Sequence, residues 1–108
     1  KIMDIPDSPI LSLAKIIAMT HHERWDGTGY PLGLSGTDIP LEGRITAVAD
    51  VFDALMSKRS YKPAFPLAKS FEILEEGRES HFDPSVLDAF FSCRQKIIQV
   101  QIDYAETD

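Results

Sequence analysis

Residues 24–43 constrain the fold more than any other stretch, because they hold five of the six glycines together with Pro31 and Pro40. This composition supplies turns and disfavours both helix and strand. Regular structure is therefore expected only in the two flanking regions. Structureless segments of this length are usually functional or disordered, but the apolar residues here favour an ordered, packed loop. These residues are Trp25, Tyr30, Leu32, Leu34 and Ile39.

The region before this loop predicts one helix. Ser8 and Pro9 suit an N-cap and a first helical turn. Apolar side chains then recur at helical spacing and predict an inward face, so the helix delivers His21 and His22 at its C-terminal end. The predicted inward face consists of Ile10, Leu13, Ala14, Ile17 and His21.

Three further helices are predicted after the loop. The second spans residues 42–57, and the third starts near residue 67 and stops at Gly77 in a C-cap position. Asp83 and Pro84 open the fourth as its N-cap and first residue. The tail alternates as a strand would, but we favour a prolonged fourth helix. At 108 residues the chain is expected to form one all-α domain of about four helices.

Charge and cysteine content exclude several classes of protein. A net charge of −6 argues against binding a nucleic acid polymer, which needs a surplus of basic residues. No apolar run reaches the roughly 18 residues that cross a bilayer, so a cytoplasmic protein is expected.

The single cysteine, Cys93, lies on the apolar repeat of the fourth helix and is interpreted as a small residue that fills the core. Because the chain begins with Lys1, a piece of a longer protein is expected.

The adjacent histidines His21 and His22 are the first candidate site. Neighbouring side chains on a helix point about 100° apart, so both address one point only near the helix end or where two metal ions share the space. The alternative is a hydrogen-bonded core histidine at His21 and an exposed His22. Glu23 and Asp26 either orient the histidines or cap the loop.

The second helix offers a third ligand, Asp50. Viewed along the helix axis, its short polar side chains fall within a sector of about 60°, which we call the wedge. Apolar residues occupy most of the remaining circumference, so the helix is expected to be buried nearly all round. A buried carboxylate needs a partner or a metal ion. A narrow solvated stripe is the alternative. Two imidazoles and a carboxylate suit iron, manganese or zinc. The wedge contains Thr46, Asp50, Asp53 and Ser57.

A basic run follows the second helix, with Lys58, Arg59 and Lys62 around Tyr61. Arginine binds phosphate oxygens in two-point fashion, and lysine adds a point charge. Beside a metal ion, these cations would neutralise the phosphate that the metal polarises. The alternative is a solvated link between helices. His81, near the start of the fourth helix, is expected to be an exposed turn residue.

The stretch HHERWDGTGYPLGLSGTDIPLEGRITAVADVFDALMSKRSYKPAF resembles the second half of an HD-GYP domain, the family of cyclic di-GMP phosphodiesterases within the HD metal-dependent phosphohydrolases. HHE, DGTGYP, IPLEGRI, VADVFDAL and RSYKPA occur in family order, and FDPSVLDAFF also fits. The resemblance covers roughly residues 8–92. It implies that residues 1–108 form the C-terminal part of an HD-type helical domain, with 24–43 as the loop carrying the GYP sequence. That sequence is Gly29, Tyr30 and Pro31.

The resemblance also implies the site and its chemistry. A complete site would hold two or three divalent metal ions, iron, manganese or another first-row metal. Metal-activated hydroxide would attack a phosphodiester of cyclic di-GMP and yield pGpG or GMP. Metal-binding and catalytic roles fall on His21, His22 and Asp50. Substrate-binding roles fall on Arg59, Lys62 and Tyr30.

One departure from the family pattern limits the expected activity. The chain contains no HD dipeptide and no histidine before His21, so about half of the implied ligands are expected upstream and the isolated chain is expected to be inactive. Two alternatives remain: a non-catalytic module that senses a nucleotide or docks on a diguanylate cyclase domain through residues 29–31, and a structural domain without a ligand. Apolar surface left uncovered would favour a homodimer.

Overall fold

The computed structural model describes residues 8–57 and 64–107, and both stretches are all-α, as predicted. Five α-helices occur there, with an ordered loop between the first two. Within the loop, residues Gly36–Asp38 form one 3-10 turn. None of the described helices is long and apolar enough to span a membrane. The helices are α1 (Pro9–Thr20), α2 (Leu41–Met56), α3 (Leu67–Glu76), α4 (Pro84–Ser92) and α5 (Arg94–Thr107).

The helix ends follow the signals in the sequence. The Ser8 hydroxyl accepts a hydrogen bond from the Leu11 N–H (3.1 Å) at the start of α1, and Asp83 caps α4 in the same way. Gly77 ends α3 as predicted, but its φ of −88° is open to any residue. Glycine is needed there for packing, because a Cβ atom would lie 2.7 Å from the ring of Phe82.

The tail is helical, which confirms the favoured alternative, but it forms a separate helix. The break falls at Cys93, whose N–H donates to the carbonyl of Phe90 (3.1 Å). The prediction that Cys93 fills the core is wrong, because the residue is exposed. Cys93 borders an open apolar cavity together with Phe90 and Ile97, so helical spacing placed it on the apolar side but could not show that this side is open.

The hydrophobic core lies between α2, α3 and α4. The ring of Phe52 packs against those of Phe71 and Phe90, with centroid distances of 5.7 and 5.2 Å. Such aromatic pairs add to the free energy gained by burying apolar area. The buried members of the core are Ala47, Val48, Phe52, Phe71, Leu74, Phe82 and Leu87.

Two predictions about buried faces are wrong. On α1, Ile10 is 78% exposed and Leu13 is 44% exposed, whereas the buried residue of this helix is Thr20. The second helix is buried on one side only, because α1, α3 and α4 leave Ile45, Ala49 and the aspartates of the wedge exposed. Ile45 is 50% exposed, and both apolar positions border an open cavity that they share with residues of α4 and α5.

Candidate active site

The end of α1 fixes the orientation of His21. The backbone N–H of His21 donates to the carbonyl of Ile17 (3.0 Å), and its ring Nδ1 lies 2.7 Å from the same oxygen. Because a carbonyl only accepts hydrogen bonds, the proton of a neutral His21 ring lies on Nδ1 and the lone pair lies on Nε2. The hydrogen bond to Ile17 therefore selects the tautomer in which Nε2 is the acceptor.

A close approach of α1 and α2 brings Asp50 to this imidazole. Gly43 faces Thr20, and a Cβ atom on Gly43 would lie 2.8 Å from the Thr20 Cβ and closer still to the hydroxyl. About two helical turns further along α2, Asp50 Oδ2 lies 3.8 Å from His21 Nε2. The His21 side chain is 22% exposed and that of Asp50 is 60% exposed. The pair thus lies at a surface and not in the buried wedge that the sequence predicted.

This pair fits part of a divalent-metal site. An imidazole nitrogen and a carboxylate oxygen on the same side suit first-row metals. Within residues 8–57 and 64–107, however, no three His, Cys, Asp or Glu side chains are close enough to hold an ion. The donor set is therefore partial, because catalytic metal sites commonly use at least about three protein ligands.

His22 lies against the ring of His21 and stacks on Tyr30, so the three rings form an aromatic wall. Its ring centroid lies 3.9 Å from that of His21 and 5.0 Å from that of Tyr30, onto which it stacks at 20°. The Tyr30 N–H donates to the carbonyl of His22 (3.2 Å), so the loop folds back onto the helix end. Gly29 permits this return, because a Cβ atom there would lie 2.7 Å from the carbonyl carbon of Glu23. The peptide bond between Tyr30 and its proline is cis.

Glu23 holds the loop closed. The residue is 2% exposed, and its carboxylate accepts hydrogen bonds from the N–H groups of Leu32 and Leu34, both at 2.7 Å. Asp26 likewise accepts from the N–H and hydroxyl of Thr28, and these bonds lower the pKa of Asp26. Of the two roles left open by the sequence, the structure therefore favours capping of the loop for both acids.

The turn between α3 and α4 brings His81 to the same site. The N–H of Trp25 donates to the His81 carbonyl (3.1 Å), and the imidazole stacks on Phe82 with centroids 4.1 Å apart. The prediction that His81 is exposed is wrong, because this packing leaves the residue half-buried. Burial, with a smaller contribution from the charge of Arg24, lowers the pKa of His81. The imidazole is therefore neutral near pH 7.

These elements enclose an open cavity of about 320 Å³. Its lining combines the His21–Asp50 pair, the stacked rings of His22 and Tyr30, and polar groups from the loop. The polar and aromatic lining consists of His21, His22, Arg24, Thr28, Tyr30, Asp50 and His81. A small molecule with both charged and aromatic parts suits such a cavity.

A buried ion pair joins α2 to the start of α4. Arg44 Nη1 lies 2.8 Å from Asp83 Oδ2, and the two side chains are only 17% and 3% exposed. The same guanidinium donates through Nε to the carbonyl of Ile39, at the end of the loop (2.8 Å). The pair therefore fastens the loop and α2 to the start of α4.

The sequence-predicted site residues have different outcomes. His21, His22, Tyr30 and Asp50 meet at the cavity, whereas the basic run that includes Arg59 and Lys62 lies outside the described residues. The sequence assigned no functional role to three residues that line the cavity or fasten the loop. These are Arg24, Arg44 and His81.

Comparison with known proteins gives a consistent result. A family model described as HD domain matches residues 3–86. A cyclic di-GMP phosphodiesterase of Vibrio cholerae is 50% identical over 99 residues, which cover 92% of this chain and 20% of that protein. A cyclic di-GMP phosphodiesterase of Thermotoga maritima is 46% identical over 100 residues, covering 93% of this chain and 27% of the relative.

Two further relatives carry another substrate in their names. The 3'3'-cGAMP-specific phosphodiesterase 2 of Vibrio cholerae is 46% identical over 92 residues, covering 85% of this chain and 18% of that protein. A crystal structure of a cyclic GMP-AMP specific phosphodiesterase of V. cholerae matches with a TM-score of 0.60 and 22% identity, covering 78% of this chain and 21% of that one. The structural match shows a shared fold. The chain spans only 18 to 27% of the length of the three curated relatives named here.

Proposed function

The chain belongs to the HD domain family, and we propose that it forms part of a metal-dependent phosphodiesterase that hydrolyses cyclic di-GMP. The observation that carries the proposal is the 3.8 Å separation between His21 Nε2 and Asp50 Oδ2 in the lining of the cavity. The names of the relatives support the substrate, since several are cyclic di-GMP phosphodiesterases. In this proposal the remaining metal ligands come from outside the 108 residues.

HD domain phosphohydrolases are metal-dependent. We propose that His21, His22 and Asp50 ligate two or three divalent ions, of iron, manganese or another first-row metal. The bound metal would supply an activated water and polarise the phosphoryl oxygen. The hydrogen bond from His21 Nδ1 to the Ile17 carbonyl fixes the ring and leaves Nε2 as the nitrogen available to a metal ion, which would lower the free energy needed to organise the site.

The other proposed roles concern the substrate. Arg59 and Lys62 would neutralise the phosphate that is attacked, and Tyr30 would contact a guanine base. Tyr30 is suited to this, because its ring is 62% exposed and is held parallel to His22. Cleavage of one phosphodiester gives pGpG, and cleavage of both gives GMP.

The test uses the natural full-length protein. Its metal content is measured by elemental analysis, and its turnover is assayed with cyclic di-GMP and with 3',3'-cGAMP. Asp50→Ala is expected to lower both bound metal and activity, the latter by at least about 100-fold. Asp53→Ala, one turn along α2 and also exposed, is the matched control. Equal activity of the two variants would remove Asp50 from the site. Faster turnover of 3',3'-cGAMP would make that dinucleotide, and not cyclic di-GMP, the proposed substrate.

The second candidate function is a module that senses a nucleotide or docks on a partner without turnover. The exposed loop favours it, because Tyr30 and Leu32 are 62% and 63% exposed and stand beside each other in the chain around Pro31. A diguanylate cyclase domain would be the partner. Binding of cyclic di-GMP by the metal-loaded full-length protein without any hydrolysis would favour this function.

A further inference from the structure

One positively charged side chain in the lining of the cavity, that of Arg24, has no role in the proposed chemistry. Within the described residues, no group accepts a hydrogen bond from the Arg24 guanidinium. The nearest carboxylate oxygen belongs to Asp26, 3.9 Å from Nε, and Asp26 is already engaged by Thr28. The side chain of Arg24 is 37% exposed, so its guanidinium group is accessible to a ligand in the cavity.

His81 stands in the same lining and is oriented by its neighbours. Its ring lies flat on buried Phe82, at an interplanar angle of 11°, and its backbone carbonyl is bonded to Trp25. A neutral imidazole offers one N–H donor and one acceptor nitrogen. Among the described residues, no hydrogen bond engages either ring nitrogen of His81. This polar pair comes from elements other than the α1–α2 contact that holds His21 and Asp50 together.

The chemistry of the substrate class calls for a second polar subsite. A cyclic dinucleotide carries two phosphodiesters, and only one is attacked in a given step. The second phosphate keeps its negative charge, and a binding cavity must leave it in water or give it a donor. Arginine binds phosphate through two parallel N–H bonds, and a neutral histidine adds one more.

We propose that Arg24 and His81 form a subsite that binds the phosphate of a cyclic dinucleotide that is not being cleaved. This inference rests on the proposed function for its substrate class. It assigns binding and positioning to the two residues and no part in bond cleavage. Removing either should therefore weaken binding and raise KM more than it lowers kcat.

The experiment measures the Kd of cyclic di-GMP by isothermal titration calorimetry, and KM and kcat in parallel, on the metal-loaded full-length protein. Arg24→Gln is expected to raise Kd by about 10- to 100-fold, the effect of losing a hydrogen bond to a charged group. Arg24→Lys should restore part of the affinity, because it keeps the charge and loses the guanidinium group. His81→Gln should raise Kd by a smaller factor.

Lys96→Gln is the control, an exposed cation on α5 that does not line this cavity. Thermal unfolding by circular dichroism verifies that each variant is folded. Values of Kd for Arg24→Gln and Arg24→Lys that both match the control overturn the inference and leave the hydrolase proposal intact. Wild-type protein that binds cyclic di-GMP without hydrolysing it, with binding lost in Arg24→Gln, supports the subsite and contradicts the hydrolase. A wild-type protein that binds no cyclic di-GMP overturns both.

Discussion

Replacing Glu23 by glutamine should loosen the loop that covers the site. Each carboxylate oxygen accepts one backbone N–H at 2.7 Å, from Leu32 and from Leu34, in surroundings that leave the residue 2% exposed. Hydrogen bonds to a charged group contribute about 1.5–3 kcal/mol each. The amide keeps one neutral acceptor and turns an NH2 group toward the second N–H, so Glu23→Gln should lower the free energy of unfolding by about 2 to 5 kcal/mol.

Two measurements check this value. Urea unfolding of the 108-residue chain gives the change in free energy of unfolding, and hydrogen exchange in the full-length protein reports on the amides of Leu32 and Leu34. Glu76→Gln, at an exposed position on α3, is the matched control. A Glu23→Gln variant that stays within about 0.5 kcal/mol of this control, with unchanged exchange at both amides, would refute the assignment of Glu23 as the cap of the loop.

Three further outcomes are expected. Arg44→Ala leaves the buried carboxylate of Asp83 without its partner, so urea unfolding should show a loss of about 3–5 kcal/mol, and a loss under about 1 kcal/mol contradicts the role of this pair. Because burial lowers the pKa of His81 below its usual 6.5, the unfolded chain binds more protons there, and stability should fall as pH drops below 6.5; His81→Gln should flatten this fall, measured by unfolding at pH 7 and pH 5. In the full-length enzyme Arg59→Ala should lower kcat/KM more than Lys96→Ala does, and equal effects would remove Arg59 from the site.

The sequence predicted which segments are helical, because capping and glycine signals act locally. The caps at Ser8 and Asp83 lie where they were expected, and Gly77 ends α3. Burial was predicted less well. The apolar spacing of α1 indicates a core face, but which face is covered depends on the neighbours, and α2 contacts α1 on the side of Thr20.

The candidate site shows the same division between local and long-range information. The pairing of His21 with Asp50 followed from the resemblance and from helical spacing. His81 could not be placed, since its position depends on hydrogen bonds between the loop and a turn more than fifty residues further along the chain, including the one from the Trp25 N–H. The partner of Arg44 is likewise distant in sequence, 39 residues away, and no periodicity links it to Asp83.

The contact between Gly43 and Thr20 couples two positions that are not among the proposed metal ligands. Because the helices meet where one of them lacks a side chain, a larger residue at position 43 is compatible with the same crossing only if position 20 becomes smaller. A paired exchange such as Gly43→Ala with Thr20→Gly would shift the bulk from one helix to the other. Adjusting this small-residue pair therefore offers a way to change the distance between imidazole and carboxylate, and with it the ion radius that the proposed metal site would prefer, while every proposed ligand is left as it is.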